Sequence, residues 1–226
     1  MWEGGECWII GGGPSIPYEF GVPEELINKV QAGEASISEY SPYLSPIHDK
    51  HVIGINAAFL LGSWIDLLFF GDPGFYWKNR TALLVFPKPK ISCAKSMKPD
   101  GVREGVKYVP KHGGKSRGIS AKHNHIAWNV NSGFASLSLA HDLGVKKIYL
   151  LGFDMSLDDE GNQHWHRHYR APGKQKNPKK VPFPRHMSGH NEILADSKIL
   201  GLEIINVSQT SKIKGFKKMT VTEIFG

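Results

Sequence analysis

Short apolar runs bounded by glycine, proline and asparagine alternate with segments whose apolar residues recur every three or four positions, so strands and helices are predicted in turn. The first run, Cys7-Trp8-Ile9-Ile10, enters a turn of Gly11, Gly12 and Gly13 closed by Pro14 and Ser15. Further strands are expected at 52–56, 66–72, 145–151 and 203–207, with two more candidates at 81–86 and 105–109. Helical spacing covers 24–30, with Pro23 near its start, then 134–143, 191–200 and a terminal turn at 221–225. Residues 33–50 and 111–124 read as loops, and 156–189, without regular pattern, as a long excursion over the edge of a sheet. The clearest unit is the 134–143 helix, its stop at Gly144, and a buried strand ending at Gly152-Phe153-Asp154. Helix, glycine stop, buried strand and polar strand end form the signature of a parallel α/β sheet. A single α/β domain over 1–226 follows, Rossmann-like, a mostly parallel sheet flanked by helices with 156–189 as a basic, His-rich insertion.

Composition narrows the setting. The 226 residues suffice for one α/β domain, or a domain with an insertion, and hold no internal repeat. No apolar run reaches the ~18 residues of a bilayer span. The first residues lack the basic and apolar regions of a signal peptide, and the two cysteines, Cys7 and Cys93, are too few for a disulfide framework. A reducing, cytoplasmic location is the expectation. Net charge is +7, with cations clustered at Lys88 and Lys90, 111–117, 167–185 and 212–218. That excess suits an anionic partner, whether nucleotide, phosphosugar or nucleic acid, or else is a solvated basic surface.

Ligands of open parallel sheets bind beyond the carboxyl ends of strands. Ser15, Asn56, Asp72 and Asp154 fall at four such ends, where each also suits a cap or turn. The glycines Gly11, Gly12 and Gly13 would let backbone N–H groups approach a phosphate, with a following helix end favouring negative charge. The turn is neither a Walker loop nor a dinucleotide fingerprint, because no Gly-Lys-Ser/Thr follows and Ile16 stands at the last glycine position. Ser132 and Gly133 open the long helix, where an N-cap and a phosphate site coincide. His164, His166 and His168 alternate along 163–168, which in an extended chain puts three imidazoles on one face. They suit phosphate or sugar contact together with Trp165 and Arg167, a metal site, or a solvated loop; no cysteine or acidic pair completes a metal set. His190 stands just before a helix, where the dipole favours the neutral imidazole that a general base requires; a capping or surface role is the alternative.

These elements together resemble the bacterial lipooligosaccharide sialyltransferases. The resemblance rests on Gly11-Gly12-Gly13-Pro14-Ser15-Ile16, Asn56 ahead of Phe59, Asp72-Pro73, Ser132-Gly133, the segment Leu143 to Asp154, Gly189-His190 and the stretch Ser208 to Phe216. The Gly-Pro-Ser turn and Gly-x-Asp strand also resemble the 6-hydroxymethylpterin diphosphokinase-like family and phage proteins of unassigned function. What the first resemblance implies is glycosyl transfer from a nucleotide-linked sugar, CMP-linked by preference, without a required metal. Gly13, Ser15, Asn56, Asp72, Ser132 and Gly133 would touch nucleotide or sugar, and His190 would deprotonate the acceptor hydroxyl. The family's two tyrosines after the Gly-x-Asp strand are replaced here by Ser156 and, further on, His164-Trp165-His166. Either the histidines and Arg167 stabilise the leaving group or the donor differs. Two alternatives stand beside this reading. One is a Mg²⁺-dependent diphosphokinase with Asp66, Asp72 and Asp154 as carboxylates, and the other is a non-catalytic nucleotide- or nucleic-acid-binding accessory protein.

Overall fold

The computed structural model describes residues 2–98, 102, 104–169 and 181–226. Eight strands form one sheet: β1 (Glu6–Ile10), β2 (His51–Ile55), β3 (Leu67–Phe70), β4 (Lys90–Ser92), β5 (Val106–Tyr108), β6 (Lys147–Leu151), β7 (Glu203–Asn206) and β8 (Lys217–Lys218). Their order is β5-β4-β3-β2-β1-β6-β7-β8, and every pairing is parallel. The fold is therefore the expected Rossmann-like α/β sheet. Strand order reverses between β1 and β6, which creates a switch point at their carboxyl ends.

A parallel sheet covered on both faces needs apolar residues at every strand position. Strand β1 shows the division: Trp8 and Ile10 enter one core layer, Cys7 and Ile9 the other. Leu68 and Phe70 oppose Leu67 and Phe69 in the same way on β3. The first layer is completed by helices α1 (Ile16–Glu19), α2 (Glu24–Ala32) and α3 (Pro73–Val85), which bury Ile16, Ile27 and Val30, and Tyr76 and Leu83. The second is completed by α4 (Ser132–Asp142), with Phe134, Leu137 and Leu139 inside. Each such side chain contributes about 1.5–3 kcal/mol on burial. Helices α5 (Phe183–His186), α6 (His190–Ile199) and α7 (Val221–Phe225) follow.

Several local expectations are corrected. The 81–86 run is the last part of α3, not a strand, because Asp72 caps and Pro73 opens a helix that runs through it. Residues 37–47 form a 3-10 segment started by a capping box of Ser36 and Glu39 rather than a loop. Strands β4 and β8 were not anticipated, since Lys90, Lys217 and Lys218 read as surface cations. Lys90 is buried and donates to the carbonyls of Phe86 and Lys88. Within 156–189, α5 is regular; Arg170, Lys174, Lys176, Lys179 and Lys180 of the expected basic excursion lie outside the described residues. No described helix is long and apolar enough to cross a membrane.

Candidate functional site

A cavity of about 240 Å³ opens at the switch point. Its floor is the turn after β1 and the turn after β6. Gly11 and Gly13 donate their N–H groups to the Leu151 and Gly152 carbonyls, both 2.8 Å, and Ser15 N–H reaches Asp154 Oδ2 at 3.3 Å. A Cβ on Gly13 would collide with the Asp154 carboxylate, and one on Gly11 would sit 2.7 Å from the Gly152 carbonyl. None of Gly11, Gly12 and Gly13 has positive φ. The three glycines thus serve close approach of two strand ends. Two N–H groups of the expected phosphate cradle are thus engaged within the protein, one by Leu151 of β6 and one by Gly152 just beyond it, and α1 is a single turn.

The wall is a loop folded back over the bend. Trp165 Nε1 donates to the Gly11 carbonyl at 3.1 Å, and His164 Nδ1 lies 3.0 Å from the Gly12 carbonyl. A carbonyl only accepts, so His164 Nδ1 carries the proton. His166 Nδ1 accepts from His168 N–H at 3.2 Å, which leaves its own proton on Nε2 when neutral. His164 and His166 stack at 5.4 Å and both line the cavity, with Tyr169 edge-on to each. The Tyr169 hydroxyl accepts from Ala57 N–H at 3.2 Å while one flank of the ring stays open to solvent. Burial of that end and the nearby Asp72 carboxylate push the hydroxyl well above the ordinary tyrosine range, so it stays protonated.

The remaining sides come from β2, β3 and α4. Asn56 sits at φ 51°, and its Oδ1 is buried with no partner among the described residues. Val130, a β-branched residue, and Met155 also line the cavity with φ of 54° and 52°. Such left-handed backbone in non-glycine residues costs of order 1–3 kcal/mol each and gathers where surroundings enforce it. Asp72 caps α3 by accepting from Gly74 N–H at 2.8 Å. The cap of α4 is Asn131, not Ser132: Asn131 Oδ1 accepts from Gly133 and Phe134 N–H. Ser132 Oγ instead accepts from Gly71 N–H at 3.2 Å, tying the ends of β3 and α4 together. Asp154 is 1% exposed, and burial raises its carboxyl above the ordinary range against hydrogen bonds from Ser15 and Thr210.

Of the residues singled out in the sequence, Gly11, Gly12, Gly13, Asn56, Asp72, Ser132, Gly133, Asp154, His164 and His166 line this one cavity. Ser15, Trp165, Arg167 and His190 do not. Ser15 Oγ bonds Ser208 Oγ at 3.0 Å behind the turn, and Trp165 is core. The Arg167 guanidinium packs over Gly33, the C-cap of α2, where a cation suits the helix dipole. His190 Nε2 donates to the Lys214 carbonyl at 2.7 Å, and its ring stacks on Phe134. Phe134 in turn packs against Phe153, so His190 sits an aromatic layer behind the cavity. Arg185, from the basic 167–185 cluster, and His186, which follows the alternating histidines in the chain, also line it, whereas Trp128 and Tyr169 carry no such signal in the sequence. Tyr169 sits three residues beyond the noted histidines, and Trp128 ends a loop with no periodicity. Among the described residues no three His, Cys, Asp or Glu side chains are grouped to hold a metal ion. The carboxylate trio expected for a diphosphokinase is divided: Asp66 precedes β3, accepting from Val52 N–H, whereas Asp72 follows it. Six extended residues separate ends by about 20 Å.

Solved structures align over 95% of the chain. The MAf glycosyltransferase from Magnetospirillum magneticum AMB-1 matches with a TM-score of 0.56 at 13% identity. The sialyltransferase CstII from Campylobacter jejuni, in complex with cytidine-5'-monophosphate, matches at 0.51 and 12% identity, and its complex with CMP-3FNeuAc at 0.51 and 13%. The chain shares the fold of these glycosyltransferases. It spans 33% of the Magnetospirillum protein and 84% of the first CstII chain. No protein-family model and no curated protein matches the sequence.

Proposed function

We propose that the protein is a glycosyltransferase acting on a nucleotide-linked sugar, with the nucleotide bound in the switch-point cavity. The observation that carries the reading is the convergence of four strand ends, with Gly11, Gly12, Gly13, Asn56, Asp72 and Asp154, on one cavity where strand order reverses. The fold shared with CstII, solved with CMP, supports a cytidine nucleotide as the first ligand to try. In this reading attack on the anomeric carbon expels a nucleotide phosphate whose new charge must be neutralised. Tyr169, kept neutral, hydrogen-bonds that charge through its hydroxyl and keeps the proton. His164 and His166 line the same wall, stacked on each other with Tyr169 edge-on to both, and supply the polar groups nearest to Tyr169 there. His190 is not assigned the base, because its Nε2 is committed to Lys214 and its ring lies behind Phe153. No step is assigned to a metal.

A thermal-shift panel of CMP, CDP, UMP, UDP, GDP and ATP, each with and without Mg²⁺, tests this. CMP without Mg²⁺ should raise Tm; ligand at 100 times its Kd adds about 2.7 kcal/mol. A shift confined to Mg²⁺-ATP favours the diphosphokinase instead, and a panel without any shift removes the donor site.

A further inference from the structure

A second cavity, of about 550 Å³, adjoins the first on the α3 side. Asn56, Asp72 and Tyr169 line both, so these three side chains form the partition. The rest of the second cavity comes mainly from Lys78, Asn79 and His168, while the glycine bend and the β6 turn take no part. We propose that this cavity is a saccharide subsite which takes a neutral, hydroxyl-rich ring and rejects a carboxylated one, with Asp72 as the selecting group. The proposal rests on the glycosyltransferase reading and names the sugar class it handles.

Three features point to that chemistry. First, the partition holds an unused acceptor: Asn56 Oδ1 is buried with no partner among the described residues, in a residue held at positive φ. An orphaned buried acceptor costs free energy until a donor arrives, and a sugar hydroxyl is such a donor. Second, fixed charge around the cavity nearly cancels. Among the described lining residues Asp72 is the one carboxylate and Lys78 the one ammonium, and burial lowers His168 toward the neutral form while its Nε2 is held by Asn79 Oδ1 at 2.5 Å. Third, Asp72 uses Oδ1 to cap α3, which fixes the carboxylate in the partition. A hydroxyl donating to it is favoured, whereas a ligand carboxylate would meet like charge at close range. The ring could belong to the donor or to the acceptor, and both present the same hydroxyls.

Saturation-transfer NMR on the full chain tests the subsite with methyl β-glucopyranoside and methyl β-glucuronide, which differ only by the carboxylate at C6. The glucopyranoside should bind at least 10-fold tighter than the glucuronide. Asp72→Asn, which keeps the cap because Asn serves as well as Asp there, should narrow the gap below 3-fold. Lys78→Trp, filling the cavity from the exposed side of α3, should abolish the glucopyranoside signal. Retention of that signal with CMP, UDP and UDP-glucose assigns the ring to the acceptor. Displacement by UDP-glucose but not by UDP assigns it to the donor. Displacement by CMP or UDP alone puts the sugar in the first cavity and overturns the proposal. So does absence of glucopyranoside binding, equal binding of the glucuronide, or a signal indifferent to Lys78→Trp. If no nucleotide shifts Tm while the glucopyranoside behaves as expected, the glycosyltransferase reading fails and the subsite stands.

Discussion

At Gly13 a missing Cβ decides how closely β1 and β6 end against each other. Gly13→Ala pushes a methyl into the Asp154 carboxylate and toward the Gly152 carbonyl. Overpacking of this kind costs about 1–3 kcal/mol, and the loss should appear as a lower Tm without any ligand present. An unchanged Tm would show that the two turns part easily. Asp154 makes a second prediction. Its carboxyl lies above the ordinary 3.8 because burial disfavours the charge. The folded state therefore holds this proton more tightly than the unfolded chain does. Stability from protonated Asp154 is present in full below 3.8 and is lost as pH rises through the folded value. Asp154→Asn removes that titration, so variant stability relative to the parent should grow as pH rises above the ordinary 3.8 in urea melts. Parallel curves would contradict it. The importance of both residues was legible in sequence, but the reason was not: spacing marks a glycine bend, whereas the carboxylate that fills the space lies 141 residues downstream (154 − 13).

Among the elements, the loop between β5 and α4 depends on α6. Asp196 accepts from Lys115 Nζ and from Ile119 N–H, both at 2.7 Å, and so holds the approach to Trp128 and Asn131 in place. Lys115 is partly solvated, so Lys115→Ala should cost under about 1 kcal/mol. Asp196→Ala also strands the buried Ile119 N–H and should cost about 1–3 kcal/mol more in the same denaturation assay. Equal losses would mean that the backbone bond carries nothing. Elements with strong local signals matched the reading from sequence: α2 between Pro23 and Gly33, α4 before Gly144, and the buried runs of β1, β3 and β6. The miss at 81–86 has a plain cause. Ala82-Leu83-Leu84-Val85 is apolar at every position, a pattern shared by buried strands and helices, and only the Asp72 cap ten residues before Ala82 separates them.

Across the whole molecule, a ligand at the switch point must touch backbone from segments that lie far apart in the chain. Hydrogen exchange with CMP should therefore slow the amides of 11–13, 131–134 and 152–156 together, leaving 221–225 unchanged. Protection confined to the lysine-rich 212–218 would indicate charge-driven surface binding instead. Sequence alone determined the class of fold, because each strand carries its own run of buried residues and each helix its own stop. It also marked the polar strand ends, since a parallel sheet puts them on one edge. Which of them share a cavity was decided only in three dimensions. Strand order, the return of 163–169 over the glycine bend and the placement of His190 behind Phe153 depend on contacts between residues distant in the chain. Local propensity carries no record of those contacts.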